Sequence, residues 1–410
     1  MLQSGDPLIH LLCARFSPER HGGVEQRMAY VARELAAAGQ RVEVLTENRT
    51  GSPANEVFGP GLIVRRFDPL ECGRLWRWRD RLRLRWWKRV IREVGVGTLW
   101  ATDPIMATAA INAGRGDDLV FNPACCAAAL DMAARQYPGG EASQMSRTLQ
   151  RFDATAWQQA PRVVVSSGNL CEQFVAMYGG RDHVDVVPHG VCAPRPFARV
   201  VPGASDDLHG ERLGIERGAF VVGFVGRLDP VKDLGFLFEA AARVPDEAAI
   251  HLLIVGDGPD EARLKKLALA RGILDRITWT GALDDPCDAY AAMDVMVLPS
   301  WYEAFGNVIL EAMAHGVPVI GRRRDATGRR PVLTAAEELI DHHATGAVID
   351  AHDVTGLARE LTRLYRLPAV RRAMGNEARR EAAKRPWGET VAAYLRILGS
   401  SAAVPMRRAA

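Results

Sequence analysis

VMVLPSWYEAFGNVILEAMAHGVPVIG, residues 295–321, reads as four pieces in succession. VMVLPS is a short apolar run with the length of a buried strand. A loop follows that carries Glu303, and a helix opens near Gly306 and Asn307. VPVIG then returns as a second apolar strand. Strand, loop, helix and strand in that order are the building unit of a parallel sheet. Such sheets bind ligands at the carboxyl ends of their strands, where helix N-termini offer amides to an anion. Glu303 and Glu311 stand with seven residues between them. Glu311 falls about one turn inside the helix. A carboxylate amid VILEAMA is costly if buried without a partner. It therefore lies either on an exposed helix face or against ligand hydroxyls such as those of a ribose. Glu303, in the loop, has the reach to meet a sugar.

The same unit recurs outward from this stretch. In the first half LIHLLCA (8–14) reads as a strand, GGVEQRMAYVARELAAAGQ as a helix and RVEVLTE as the next strand. RVVVSS (162–167) and VDVVPHG (184–190) are further strands. In the second half FVVGFVG (220–226), IHLLIVGDG (250–258) and ITWTGAL (277–283) precede the opening stretch. The pattern predicts an α/β protein of two doubly wound, Rossmann-like domains facing across a cleft, and 410 residues is the length for two cores. The expected division is 1–200 and 201–384, around the Pro- and Gly-rich stretch 192–210 as linker. Residues 385–400 are expected to form a last helix that packs back on the first domain, and 401–410 a disordered tail.

Composition narrows the class. Hydrophobic residues make up 48% and charged residues 25%, as in globular proteins. A net charge of +3 is too small to indicate a nucleic-acid partner. No apolar run has the roughly 20 residues of a membrane span. The first residues lack a basic stretch followed by a long apolar core, so no secretory signal is expected. Seven scattered cysteines without C-x-x-C spacing predict reduced thiols and a cytoplasmic protein. No strand-end Asp-x-Asp stands out, and no metal site or cofactor is expected.

Two more motifs follow predicted strands. In GFVGRLDPVKD (223–233), Gly226 ends a strand and the cations Arg227 and Lys232 follow. They are either solvated surface charges or a diphosphate clamp. As a clamp, each contact at ~4 Å and an effective dielectric near 20 gains about 4 kcal/mol before desolvation. It would also favour a leaving diphosphate over its bound ground state. IVGDGPD (254–260) places Gly256 and Gly258 in a tight strand-to-helix turn, a structural role first.

The order GRLDPVKD, VGDGP, PSWYEAFGNVILEAMAHGVPVI resembles the C-terminal half of the retaining, metal-independent glycosyltransferases of family four, with the GT-B fold. The resemblance covers most of 220–400. It implies that Arg227 and Lys232 hold the donor diphosphate beside Gly226, that Glu303 contacts the donor sugar and that Glu311 contacts the ribose. It places the amides near Phe305, Gly306 and Asn307 on the phosphates, and Leu283 near the base. Retention by front-side attack, with the donor phosphate oxygen taking the acceptor proton, is implied too. A UDP-sugar is the favoured donor and a GDP-sugar the alternative. The acceptor is a hydroxyl of a small molecule, glycan or lipid-linked sugar.

The first half resembles the family more loosely. SPERHGGVEQ (17–26) is similar to its acceptor-side loop, with Gly22, Gly23 and Glu25, and equally reads as a turn before a helix. Asn122, in LVFNPACC, stands where the family carries a sugar-contacting histidine. It is kept as a catalytic candidate, and it also leaves open a non-catalytic sugar-nucleotide-binding protein or a nucleotide-sugar epimerase of the same fold. His189 reads as structural. RRRDATGRRP after VPVIG replaces a glycine-rich loop of the family. It is a solvated charge run or an added anion contact. Residues 72–93, CGRLWRWRDRLRLRWWKRVIRE, interleave Trp76, Trp78, Trp86 and Trp87 with arginines. That is the composition of a packed helix with snorkelling arginines or of a helix lying on a membrane.

Overall fold

The structure, a computed structural model, describes residues 8–16, 23–48, 51–68, 79–139, 144–192 and 207–399. The chain divides into two units. One takes the residues up to Leu130, Met145–His189 and the chain from Trp387 on; the other takes Asp131–Gln144 and Gly190–Pro386.

In the first unit, strands β1 (Leu8–Cys13), β2 (Arg41–Glu47), β3 (Asn55–Gly59), β4 (Leu62–Phe67), β5 (Thr98–Ala101), β6 (Leu119–Phe121), β7 (Arg162–Val165) and β8 (Asp185–Val186) form one sheet. Their order is β3-β4-β2-β1-β5-β6-β7-β8. All neighbours run parallel except β3, which pairs antiparallel with β4 as a hairpin. The helix Gly23–Ala37 carries Met28, Val31, Ala32 and Leu35 on one buried face, the 3.6-residue repeat of an amphipathic helix. Each larger apolar side chain buried here contributes about 1.5–3 kcal/mol. The helix Trp387–Leu398 completes this core. Trp387 stacks on Tyr30 at 5.5 Å, and Tyr394 meets the Trp100 ring edge-on at 4.6 Å. His189 is buried here and accepts from the buried Arg27 at 3.0 Å.

In the second unit, β9 (Phe220–Val225), β10 (Ile250–Val255), β11 (Ile277–Gly281), β12 (Val295–Leu298), β14 (Val319–Arg322) and β16 (Gly346–Ile349) form a parallel six-stranded sheet, ordered β11-β10-β9-β12-β14-β16. Two short strands, β13 (Tyr302–Glu303) and β15 (Leu333–Thr334), pair beside it. Residues 131–144 group with this unit, although the sequence reading placed them in the first half. Tyr137 explains why. Its ring stacks on Trp301 at 4.7 Å, and its hydroxyl donates to the carbonyls of Arg330 and Pro331. Most of the predicted linker, and residues 400–410, lie outside the described residues.

Candidate functional site

Strand order locates the site in the second unit. From β9 the sheet grows outward through β10 and β11, and from β12 it grows the other way through β14 and β16. The reversal lies between β9 and β12, where open α/β sheets bind ligands at the strands' carboxyl ends. Gly226, Arg227 and Lys232 follow β9, and Glu303 follows β12.

The loop after β9 is built around backbone contact. A side chain at Gly256 would put its Cβ 1.9 Å from the carbonyl oxygen of Gly226, and one at Gly258 would lie 2.2 Å from that of Leu228. Both glycines are thus needed for two strand-end loops to cross. Gly226 itself has φ +151°, a conformation other residues rarely adopt. The chain then turns through a short 3₁₀ segment, Pro230–Lys232, whose first amides are capped when Asp229 accepts from the Val231 amide at 3.2 Å. Trp301, fully buried, grips the turn from the β12 side. Its indole donates to Pro230 O at 2.9 Å, and its amide to Val231 O at 3.1 Å.

The turn brings Lys232 Nζ to 2.5 Å from Glu303 Oε2, with both side chains mostly buried. The structure thus joins two residues that lie 71 positions apart in sequence. Arg227 is placed differently. Its guanidinium pairs with Asp229 and is largely exposed. Gly306, at φ +97°, caps the helix Asn307–Ala314 without a side-chain hydrogen bond, and a Cβ there would crowd Ile309 and Glu303. Phe305, Gly306 and Asn307 therefore form the helix entrance directly after Glu303. Leu283 is part-exposed just beyond β11.

Glu311 is only partly accessible, and Tyr290 donates to its Oε2 at 2.7 Å. Burial lifts the Glu311 carboxyl above its ordinary range, while the Tyr290 bond pulls it back. Burial, with Glu311 alongside, holds the Tyr290 hydroxyl protonated as a donor. His315 stacks on Tyr290 at 5.0 Å and bonds the Glu311 carbonyl through Nδ1. Sequence reading did not single out Tyr290. The available signal was a tyrosine one strand upstream of a helix carrying an apolar-embedded glutamate.

The first unit has its own reversal, between β1 and β5. Gly23 opens the helix after β1, and Glu25 lies in its first turn. Gly22 lies outside the described residues. At the ends of β2 and β5, Arg83 donates twice to the buried Glu47, and Asp103 caps the helix Pro104–Asn112 by accepting from the Ile105 amide. Reading along the chain missed this group, since sheet order alone brings its members together.

Asn122, the catalytic candidate of the first half, is engaged between two strands. It is 1% exposed; its amide donates to Val164 O at 2.6 Å, and its backbone to Ala101 O at 2.8 Å. The side chain ties β6 to β7, so this geometry gives no support to a sugar contact. The cysteines beside it are poor nucleophiles, since burial pushes the Cys125 thiol up to about 12 and raises Cys126 as well. Nearby, fully buried Asp153 accepts from the Ala127 amide and the Tyr178 hydroxyl, and burial raises its carboxyl to about 7.

Of the arginine run, Arg322 is fully buried, and half-exposed Arg323 pairs with Asp350 and Glu337. Trp76 and Trp78 lie outside the described residues. The described part of that segment is the helix Arg79–Glu93, with Trp87 buried and Trp86 edge-on to Phe67. Among the described residues no helix is long and apolar enough to cross a membrane, and no group of three or more His, Cys, Asp or Glu is placed to hold a metal ion.

Comparison with known proteins bears on the family and the fold. Residues 206–381 match the family described as Glycosyl transferases group 1, and residues 21–193 match Glycosyltransferase Family 4. The chain is 31% identical over 265 residues to a D-inositol 3-phosphate glycosyltransferase of Salinispora arenicola, a match covering 60% of this chain and 56% of that relative. It is 28% identical over 416 residues to the protein of the same name from Saccharomonospora viridis, covering 92% and 88%. Its matched stretch thus spans little more than half of the first relative and most of the second. Among solved structures, HepE of Anabaena in complex with UDP and glucose superposes with a TM-score of 0.72 at 20% identity, covering 96% of this chain and 99% of that one. The two family matches between them span both units, and the chain belongs to the group 1, family 4 glycosyltransferases, with the GT-B fold.

Proposed function

We propose that the protein is a retaining, metal-independent glycosyltransferase that moves a sugar from a nucleotide-diphosphate sugar to a hydroxyl acceptor. The observation that carries this reading is the Lys232–Glu303 pair at the entrance of the helix Asn307–Ala314, with Glu311 one turn further on. Lys232 and Arg227 supply positive charge for the diphosphate. The helix N-terminus adds backbone dipoles, Glu303 meets the sugar and Glu311 takes the ribose hydroxyls. The anomeric carbon–phosphate oxygen bond breaks as the acceptor oxygen bonds to the same face of that carbon. The acceptor proton passes to the departing phosphate oxygen. Charge grows on the diphosphate as this happens, so Lys232 acts most strongly in the transition state.

UDP is the favoured base. HepE, a protein of the same fold, was solved with UDP, and GDP is the alternative. The relatives' name makes D-inositol 3-phosphate the first acceptor to try. The first test is thermal shift with UDP, GDP, ADP and dTDP, with and without EDTA. A ligand at 100 times its Kd adds about 2.7 kcal/mol of stability. Stabilisation by one base, unchanged by EDTA, is the expected result, followed by release of that diphosphate when donor and acceptor are both present. No stabilisation by any of the four would overturn the donor assignment. Stabilisation without turnover on any acceptor would favour a binding protein.

A peripheral membrane role is proposed for the helix Arg79–Glu93. Arg81, Arg85, Arg89 and Arg92 are exposed at spacings that put them on one helical face. Flotation with vesicles containing phosphatidylserine should retain wild type and lose the variant Arg81→Glu/Arg85→Glu/Arg92→Glu. Equal flotation of the two would remove the helix from the reading.

A further inference from the structure

Arg322 ends β14 and is among the largest fully buried side chains of the protein. Its guanidinium is engaged on every nitrogen. Nε donates to Ala351 O at 2.6 Å; Nη1 donates to Asp233 Oδ2 at 2.8 Å and to Pro299 O at 2.9 Å; Nη2 faces His352 Nδ1 at 3.3 Å. The group also lies 4.4 Å over the centre of the Phe236 ring. These partners belong to separate strand-end loops. Asp233 adjoins Lys232, Pro299 begins the loop that carries Glu303, and Ala351 and His352 follow β16. A buried charge held this way keeps its neighbours in place, because releasing any partner strands a desolvated donor.

Asp233 needs such an anchor. Its backbone lies at φ +47°, ψ +45°, in the left-handed region. Aspartate tolerates this region better than most residues with side chains, but at a cost of roughly 1 kcal/mol or more that surrounding contacts must offset. Asp233 is both the last position of the Lys232 turn and the residue that leads into the helix Leu234–Ala241. The direction of Lys232 therefore depends on Asp233 staying in that conformation.

We propose that Arg322 and Asp233 are positioning residues of the donor site: their ion pair, buried on the arginine side, holds Asp233 in its left-handed conformation at the end of the 230–233 turn and thereby fixes Lys232 beside Glu303, where the donor diphosphate would be met. The proposal rests on the reading of Lys232 as a diphosphate contact. Neither positioning residue touches the donor. Their effect is on the fraction of time that Lys232 is in place, and apparent affinity falls by that fraction.

The test measures binding of whichever of UDP, GDP, ADP and dTDP wild type binds most tightly, alongside the matching monophosphate. Wild type should prefer the diphosphate, and Lys232→Ala should abolish that preference. Arg322→Ala is expected to weaken the diphosphate about tenfold or more while changing the monophosphate less than about threefold, as for a lysine in place roughly one tenth of the time. Arg322→Lys, the milder change, should fall between. Arg322→Ala combined with Asp233→Gly should recover the diphosphate to within about threefold of wild type, because glycine adopts the left-handed conformation unaided. Loss of general packing would weaken both ligands together and would not be rescued by glycine. The proposal is overturned if Arg322→Lys and Arg322→Ala leave the preference intact, if both ligands weaken equally, or if the double variant binds no better than Arg322→Ala. A wild type without the preference, or a Lys232→Ala variant that keeps it, would overturn the clamp reading itself and this proposal with it.

Discussion

Tyr290→Phe removes one hydroxyl from against the helix Asn307–Ala314 and leaves the ring in place. That hydroxyl donates to Glu311 Oε2 over 2.7 Å. Two effects oppose each other at Glu311: burial raises its carboxyl, and the Tyr290 bond lowers it. A hydrogen bond to a charged group is worth about 1.5–3 kcal/mol, so its loss tips the carboxyl toward the protonated form by roughly 10- to 100-fold. Ribose hydroxyls donate to an ionised carboxylate, and protonation removes that acceptor strength. Nucleotide affinity should therefore fall as pH drops through the Glu311 titration, and the fall should begin at a higher pH in Tyr290→Phe. Titration calorimetry with the preferred nucleoside diphosphate across the pH range in which the protein stays folded reads this directly. The two proteins should bind alike where Glu311 is ionised in both, differ most where it is protonated only in Tyr290→Phe, and converge again once it is protonated in both. Glu311→Gln, which cannot titrate, should be weak and flat across the range. Parallel profiles for wild type and Tyr290→Phe would refute the reasoning, since Tyr290 would then act through packing alone.

Glu303→Ala frees Lys232 from its ion pair, so diphosphate affinity should hold or rise while sugar transfer falls at least 100-fold; parallel loss of both would remove Glu303 from the sugar. Gly256→Ala forces a Cβ to 1.9 Å from the Gly226 carbonyl oxygen, and should destabilise the protein by about 3 kcal/mol or more in denaturant unfolding; an unchanged midpoint would show that the two loops separate freely. Asp153 holds its proton to about pH 7 when folded and to about 3.8 when unfolded. The folded state thus binds more protons between those values. Stability should fall by about 4 kcal/mol as pH rises through that window, then level off. Asp153→Asn should flatten this part of the profile, and an identical slope in the variant would place the titration elsewhere.

The alternation of strand and helix was legible because parallel strands buried on both faces read as continuous apolar runs, such as FVVGFV at β9. The hairpin β3–β4 was not. Its strand Asn55–Gly59 is half-exposed and polar enough to resemble a loop, and its pairing with β4 is antiparallel in an otherwise parallel pattern. Residues 131–144 were read with their sequence neighbours, although stacking of Tyr137 on Trp301 draws them to the second unit. Contact between aromatic rings more than a hundred residues apart leaves no periodic trace.

The site divides along the same physical line. The charges proposed for the donor sit within a few residues of a strand end, where short loops and a helix entrance gather. Gly226, Lys232, Glu303 and Gly306 are therefore visible as compact motifs. The residues that set their geometry come from the far ends of other strands. Arg322 looked like one of several surface arginines, and only the path of β14 turns it inward to Asp233, 89 positions away. Asn122 was read only as a changed ligand contact, and the proximity of β7 also gives it a cross-strand hydrogen bond. A side chain's chemistry is written in its own letter, but whether that chemistry is spent on a ligand or on the fold depends on which strand lies next to it. On the proposed reading, a motif search recovers the groups that would touch the donor and passes over those that would aim them. The second class is read from contacts alone: a charged residue occupies the left-handed position after Lys232, and a buried arginine answers it.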